Sequence, residues 1–195
     1  MQNLQRKINI AKIFLDTNII LDYLERRNNQ SIILIERIKE KKIDCYCSLL
    51  LLLELLDVQK DTLFFNKLVI DKKATINEFL RDRHRKYLAK SDFESLNEKL
   101  EGIIEALRFT HFYELSVTGW DMALAISSKT NLLSQDVVHF ATAITLSCDV
   151  LVTRDMGIIK EGKLILQDKE FLSTYKLKKD FMKLTTPEQV NKFIK

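Results

Sequence analysis

Lys12-Ile13-Phe14-Leu15-Asp16-Thr17-Asn18 is an apolar run with strand character that ends in a carboxylate, a hydroxyl and an amide. A buried strand that stops on three polar groups delivers them to an edge of the core, and the C-terminal edge of a parallel sheet is where such a fold keeps its chemistry. Three later segments each bring another acid into a similar apolar setting: Glu54 inside Leu49 to Leu56, Asp136 ahead of Val137-Val138, and Asp155 behind Val150-Leu151-Val152-Thr153. The pattern predicts that these four acids converge on one metal site.

Working outward, Asn18 to Glu25 reads as a helix with the apolar stripe Ile19, Ile20, Tyr23 and Leu24, and Ser31 to Lys42 as a second, with Ile32, Ile35 and Ile38 at helical spacing. Ile43 to Cys47 alternates like a strand, and Ser48 is placed to cap a helix starting at Leu49. Strand, helix, strand, helix is the cadence of a parallel α/β sheet. From Thr62 to Thr110 it stops, and the spacing predicts a charged helical pair whose second member follows a Ser91-x-x-Glu94 capping box. Such amphipathic helices must bury their apolar faces somewhere, so this stretch is expected either to cover the sheet or to carry a self-association or partner surface.

The cadence then resumes. Glu114 to Thr118 is expected as a strand, Asp121 to Lys129 as a helix, Gln135 to Ser147 as a helix capped by Ser134, and Val150 to Thr153 as a strand. The extension from Gly162 holds a candidate strand, Leu164-Ile165-Leu166, then the basic run Lys176 to Lys183, then a helix begun by Pro187. With no internal repeat and no Gly- or Ser-rich linker, residues 1–195 are expected as a single domain, with a helical elaboration at about 62–110 and a C-terminal extension at about 162–195.

Hydrophobic residues make up 46% of the 195, ample for a core, and the longest unbroken apolar run falls far short of a membrane span. Met1 to Asn9 is polar and lacks the apolar region of a secretory signal, so a cytoplasmic address is expected. The cysteines, Cys45, Cys47 and Cys148, are odd in number, follow no disulfide or zinc spacing and read as buried, inert thiols. A net charge of +4 permits contact with a phosphate backbone without demanding it.

Taken singly, each acid has a bland reading. Glu54 can lie on the one exposed stripe of an apolar helix, Asp16 can be a turn former, Asp136 can complement a helix dipole, and Asp155 can close a turn. Together they repel strongly without a cation, and hard ions such as Mg²⁺ or Mn²⁺ prefer oxygen ligands. Asn18 and Thr153 could orient the carboxylates or hold a water beside them.

Asp16-Thr17-Asn18 after an apolar strand, Ser48 to Glu54 opening an apolar helix, Asp136-Val-Val-His-Phe-Ala-Thr-Ala and Leu151-Val-Thr-Arg-Asp155 resemble, in the same order, the motifs of PIN-domain nucleases. The closest likeness is to the VapC-type toxin ribonucleases of prokaryotic toxin–antitoxin systems. The resemblance implies a central parallel sheet flanked by helices, and an Mg²⁺- or Mn²⁺-dependent enzyme that cuts RNA. It also implies Asp16, Glu54, Asp136 and Asp155 as the catalytic and metal-binding quartet, with Asn18 and Thr153 in support. A homodimer and an antitoxin partner belong to the same implication. Arg154 is the best candidate to hold the substrate's phosphate backbone, while His139, inside an apolar helix, reads as structural. Two departures stand out: the helical elaboration is long, and Asp155 is followed by an extended tail.

Two other classes compete. A haloacid dehalogenase-like phosphatase would use Asp16 as nucleophile, but such enzymes usually carry a second Asp where Asn18 stands. A noncatalytic RNA- or protein-binding member of the same fold would cut nothing. A dinucleotide or P-loop site fails because Gly102, Gly119, Gly157 and Gly162 are the only glycines and form no phosphate-cradling loop.

Overall fold

The computed structural model describes residues 10–82, 88–179 and 181–194. They divide into two compact units, Met1–Leu51 with Phe109–Lys195, and Leu52–Arg108.

The first unit is built on five parallel strands: β1 (Lys12–Leu15), β2 (Asp44–Ser48), β3 (Thr110–Tyr113), β4 (Val150–Val152) and β5 (Lys183–Thr185), in the order β3-β2-β1-β4-β5. The central place falls to β1 because Ile13, Phe14 and Leu15 are all fully buried, which only a strand covered on both faces allows. Phe14 and Leu151 pack on one side with Ile126, Phe140, Ile144 and Ile158. By the period of two, Ile13 and Leu15 serve the other side. Burial of each such side chain contributes about 1.5 to 3 kcal/mol.

The helices of this unit are α1 (Thr17–Leu24) and α2 (Asn29–Lys41), then α6 (Val117–Ser127), α7 (Ser134–Thr145), α8 (Met156–Ile165), α9 (Lys169–Thr174) and α10 (Pro187–Val190). Asn28 starts α2 by accepting the N–H groups of Gln30 and Ser31, and Pro187 stands at the head of α10 as expected. The Arg37 guanidinium of α2 donates to the carbonyls of Asn191 and Ile194, tying the C-terminal turn to the sheet layer.

In the second unit lie most of α3 (Leu50–Phe65), a π-helical stretch (Asn66–Asp71), α4 (Ile76–Asp82) and α5 (Lys90–Ala106). The helical elaboration is therefore present, but its cap differs from the expected one. α5 starts at Lys90, and the Asp92 carboxylate accepts the Ala89 N–H at 2.6 Å while pairing with Lys67. Asp92 sits at the third helical position, where a carboxylate reaches back to the cap N–H, so it takes the role expected of Glu94. Part of the apolar surface stays uncovered: Ile70, Ile76, Leu80, Phe93 and Ile104 are exposed. Tyr87 and His84, within the charged run after Arg81, fall outside the described residues. No helix of the described residues is long and apolar enough to cross a membrane.

Other expectations are corrected. The third strand is Thr110–Tyr113, because these residues align with Cys45–Ser48 of β2 while the Ser116 hydroxyl accepts the Gly119 N–H and starts α6. Leu164-Ile165-Leu166 is the end of α8, whose buried face is Ile158, Ile159, Gly162 and Ile165 at helical spacing; the last strand is Lys183–Thr185. Ser134 is the first residue of α7, not its cap. Ser48 ends β2, and its hydroxyl hydrogen-bonds to His139 while α3 begins at Leu50. Helix α3 covers Leu51 and Leu55 and exposes Leu53.

Candidate active site

All five strands point the same way, so Leu15 and Val152 end side by side in the paired β1 and β4. Asp16 follows the first directly and Asp155 lies just beyond the second. Asp16 caps α1: its Oδ1 accepts the Thr17 N–H at 2.8 Å, and its Oδ2 accepts from Asn18 Nδ2 at 2.5 Å and Thr153 Oγ1 at 2.6 Å. Asp155 caps α8 through Oδ1, which accepts the N–H groups of Gly157 and Ile158. Asp16 and Asp155 are therefore both helix caps, and the caps fix each carboxylate at the strand ends.

Asn18 and Thr153 form the frame between them. Thr153 Oγ1 accepts from Asn18 Nδ2 at 3.0 Å and from the Asp155 N–H at 2.9 Å, and Asn18 Oδ1 accepts the Arg154 N–H at 3.1 Å. One hydroxyl thus orients both acids. Thr153→Val, which keeps the shape and removes the hydroxyl, is expected to lower stability by about 1 kcal/mol. A chemical denaturation midpoint measures it, and an unchanged midpoint would show that the frame is dispensable.

Asp136 arrives from the first turn of α7. Burial, and then the charges of Asp16 and Asp155, push its carboxyl up to about 6, against smaller opposing effects of His139 and of a hydrogen bond from the Leu133 backbone. Asp136 therefore feels the charges of two acids far from it in sequence. Glu54 belongs to the other unit, where it is half-buried in α3 between the covered Leu51 and Leu55.

The donor chemistry fits a hard divalent cation. A carboxylate has about four lone-pair sites. The hydrogen bonds to Asp155 described above fall on its Oδ1. Among the described residues, no three His, Cys, Asp or Glu side chains stand together as a ready-made cage. Mg²⁺ is commonly held by one or two carboxylates, its own waters and substrate phosphate, so an open set of acids suits it better than a cage would.

Several neighbours escape a local reading of the sequence. His139, 2% exposed, lies between Thr17 Oγ1 (3.3 Å from Nε2) and Ser48 Oγ (2.7 Å from Nδ1), so it ties α7 to β2 and to the head of α1, a structural role as expected. Asp22, buried in α1, accepts from Ser31 Oγ at 2.9 Å and from Arg154 Nη1 at 2.9 Å to each oxygen. Arg154 is thereby paired with Asp22, while its half-exposed guanidinium keeps further donors. Asp22 could have been found by the burial argument applied to Glu54, for it falls among apolar residues of a short helix. The three cysteines are free and buried, and burial pushes the thiols of Cys45 and Cys148 up to about 12, which makes them inert.

No curated protein matches this sequence. The family model of the PIN domain matches residues 13–164, a stretch that begins inside β1, ends inside α8 and contains Asp16, Asp136, Asp155 and the Asn18–Thr153 frame. With that match over more than half of its length, and with the parallel five-stranded sheet flanked by helices, the chain belongs to the PIN domain family, whose fold is of the nuclease type.

Proposed function

We propose that this chain is a divalent-metal-dependent endoribonuclease that hydrolyses RNA phosphodiester bonds in the cytoplasm, as the toxin of a toxin–antitoxin pair. The observation that carries the reading is the placement of Asp16 and Asp155 at the ends of the paired strands β1 and β4, with the carboxyl of Asp136 raised first by burial and then by the charges of those two acids. PIN domains typically use divalent metals, and these acids are the residues that would hold Mg²⁺ or Mn²⁺. Glu54 is proposed as a fourth on the family motif alone. When bound, such an ion supplies Lewis-acid polarisation and an activated water.

The chain's own residues do the rest. Thr153 and Asn18 keep the Asp16 carboxylate turned toward the strand end. Asp136 keeps its charge available above about pH 6. Arg154, anchored by Asp22, offers its remaining donors to a phosphate without reading a base. The substrate is single-stranded or loop RNA, whose backbone can enter a cleft that a duplex cannot.

Incubation of the purified protein with total RNA, in Mn²⁺ or in EDTA, tests the proposal. Discrete cut ends in Mn²⁺ and none in EDTA are expected. RNA that is bound but left intact in Mn²⁺ would move the protein to the noncatalytic reading, and release of phosphate from a small phosphomonoester would favour a phosphatase.

The proposed enzyme works as a homodimer. Val117, Trp120 and Leu124 lie at i, i+3 and i+7 of α6 and are 81%, 51% and 68% exposed, an apolar stripe that a second copy would cover. Leu124→Glu is expected to halve the mass seen by light scattering. A wild type that is already monomeric would remove this part of the proposal.

A further inference from the structure

Residues 160–195 hold nine lysines against five acids, a surplus of +4 that equals the net charge of the whole chain. Two of these lysines, Lys163 and Lys183, line a groove of about 580 Å³ beside β5. Among the described residues no acidic side chain lines it.

The path of the groove follows from the faces of β5. That strand ends the sheet order, so among the described residues one of its edges carries no neighbouring strand. A Cβ at Gly162 of α8 would lie 2.5 Å from Leu184 Cδ1, which puts Leu184 on the α8 face. Lys183 and Thr185 therefore point to the opposite face. There the Lys183 ammonium lies 5.6 Å from the Phe193 ring centre, and Thr185 Oγ1 donates to Gln189 Oε1 at 2.8 Å. The lining draws on both sets, with Lys163, Gln167 and Leu184 from one face and Lys183, Gln189 and Phe193 from the other. One groove lined from both faces passes around the open edge of β5.

One lining residue, Thr185, stands beside the end of β4. The Thr185 carbonyl accepts the Thr153 N–H at 3.0 Å, and Thr153 Oγ1 donates to Asp16 Oδ2 at 2.6 Å. We propose that the groove is a subsite for single-stranded RNA, holding the nucleotides next to the phosphodiester at the acids. This rests on the ribonuclease reading above and names where its substrate runs. Lys163 and Lys183 meet successive phosphates, Phe193, 41% exposed, offers a ring face to a base, and the amides of Gln167 and Gln189 reach base edges. An aromatic face beside lysines and amides, with no carboxylate, matches a nucleotide better than an acidic peptide, which would use the lysines alone.

The test is fluorescence anisotropy with a labelled single-stranded RNA about ten nucleotides long in EDTA, where binding is read without cleavage. The Lys163→Ala/Lys183→Ala double variant is expected to flatten the plot of log affinity against log salt by about 1.4, since each neutralised phosphate of a single strand contributes about 0.7. Phe193→Ala is expected to weaken binding by about 5- to 150-fold with the slope unchanged, which a purely electrostatic patch would not show. Lys176→Ala, the loss of one exposed charge outside the groove, should leave affinity and slope close to wild type. All the altered side chains are exposed, so the fold is expected to survive, as melting curves will verify. If wild type binds and cuts RNA while the groove variants match it in affinity and slope, the subsite is overturned and the ribonuclease reading stands. If wild type neither binds nor cuts RNA, both fall. Variants that keep RNA binding but lose a labelled polyglutamate peptide would overturn the subsite in favour of an acidic protein partner.

Discussion

Asp16→Asn and Asp136→Asn, each close in shape to wild type but without the charge, are expected to lower RNA cleavage in Mn²⁺ by more than about 100-fold. Groups that merely support a metal ligand typically change activity or affinity by about 10- to 100-fold, and a carboxylate that touches the ion should exceed them. The two substitutions act differently. Asp16 Oδ2 accepts from both Asn18 and Thr153, so an amide nitrogen placed there would face donors with a donor and turn the frame as well as lose the charge. Asp136 is held by a hydrogen bond from the Leu133 backbone, and its replacement removes charge from a first-turn position of α7. Cleavage rates from gel assays, with circular dichroism to show that both variants are folded, check the expectation. A folded variant that cuts at the wild-type rate would return that acid to its structural role.

In the metal-free protein, Asp136→Asn should leave stability at pH 8 equal to wild type or higher. The folded carboxyl is raised from its ordinary value of 3.8 to about 6, so between about pH 4 and pH 6 the folded state binds its proton more tightly than the unfolded chain does. Stability from this group is therefore complete below that window, falls as pH rises through it, and stays low above. The neutral amide has no such loss, so the advantage of the variant opens as pH rises from about 4 and is full above about 6. Excess Mn²⁺ should reverse the ranking. Free ion at one hundred times its dissociation constant adds about 2.7 kcal/mol to wild type, roughly 5 to 10 °C in melting temperature for a chain of this size, and most of that gain should vanish in the variant. An acid serving only as a helix-end partner would show the opposite pattern, a lower melting point in EDTA with the metal shift intact.

These expectations lean on features that were legible in the sequence to unequal degrees. The β1 run and the acids at the strand ends could be read because burial and polarity change abruptly there, and a cap or turn acid is a local signal. The Asn18–Thr153 frame was anticipated only as a supporting role, since its hydrogen bonds join residues 135 positions apart. Separation along the chain also hid the Ser48 hydroxyl, which looks like a helix cap in its local context and is claimed by His139, 91 positions away. The last strand was misplaced for another reason. Leu164-Ile165-Leu166 satisfies a strand pattern and the buried face of α8 equally, and the cap from Asp155 decides for the helix. The true strand, Lys183-Leu184-Thr185, offers one aliphatic residue in a basic tail and gains its identity from pairing with β4. Tertiary pairing, not propensity, makes it a strand.

Asp16, Asp136 and Asp155 are proposed to share a divalent cation whose remaining places are filled by water and substrate, since they form no ready-made cage. Titration of Mn²⁺ into the wild-type protein and into Asp136→Asn at pH 8, followed by calorimetry, tests it most directly. Saturable binding to wild type, with proton release that grows as the pH is lowered toward 6 and an affinity at least tenfold weaker in the variant, is the predicted result. Equal affinity in the two proteins, or no saturable binding to wild type, would contradict it.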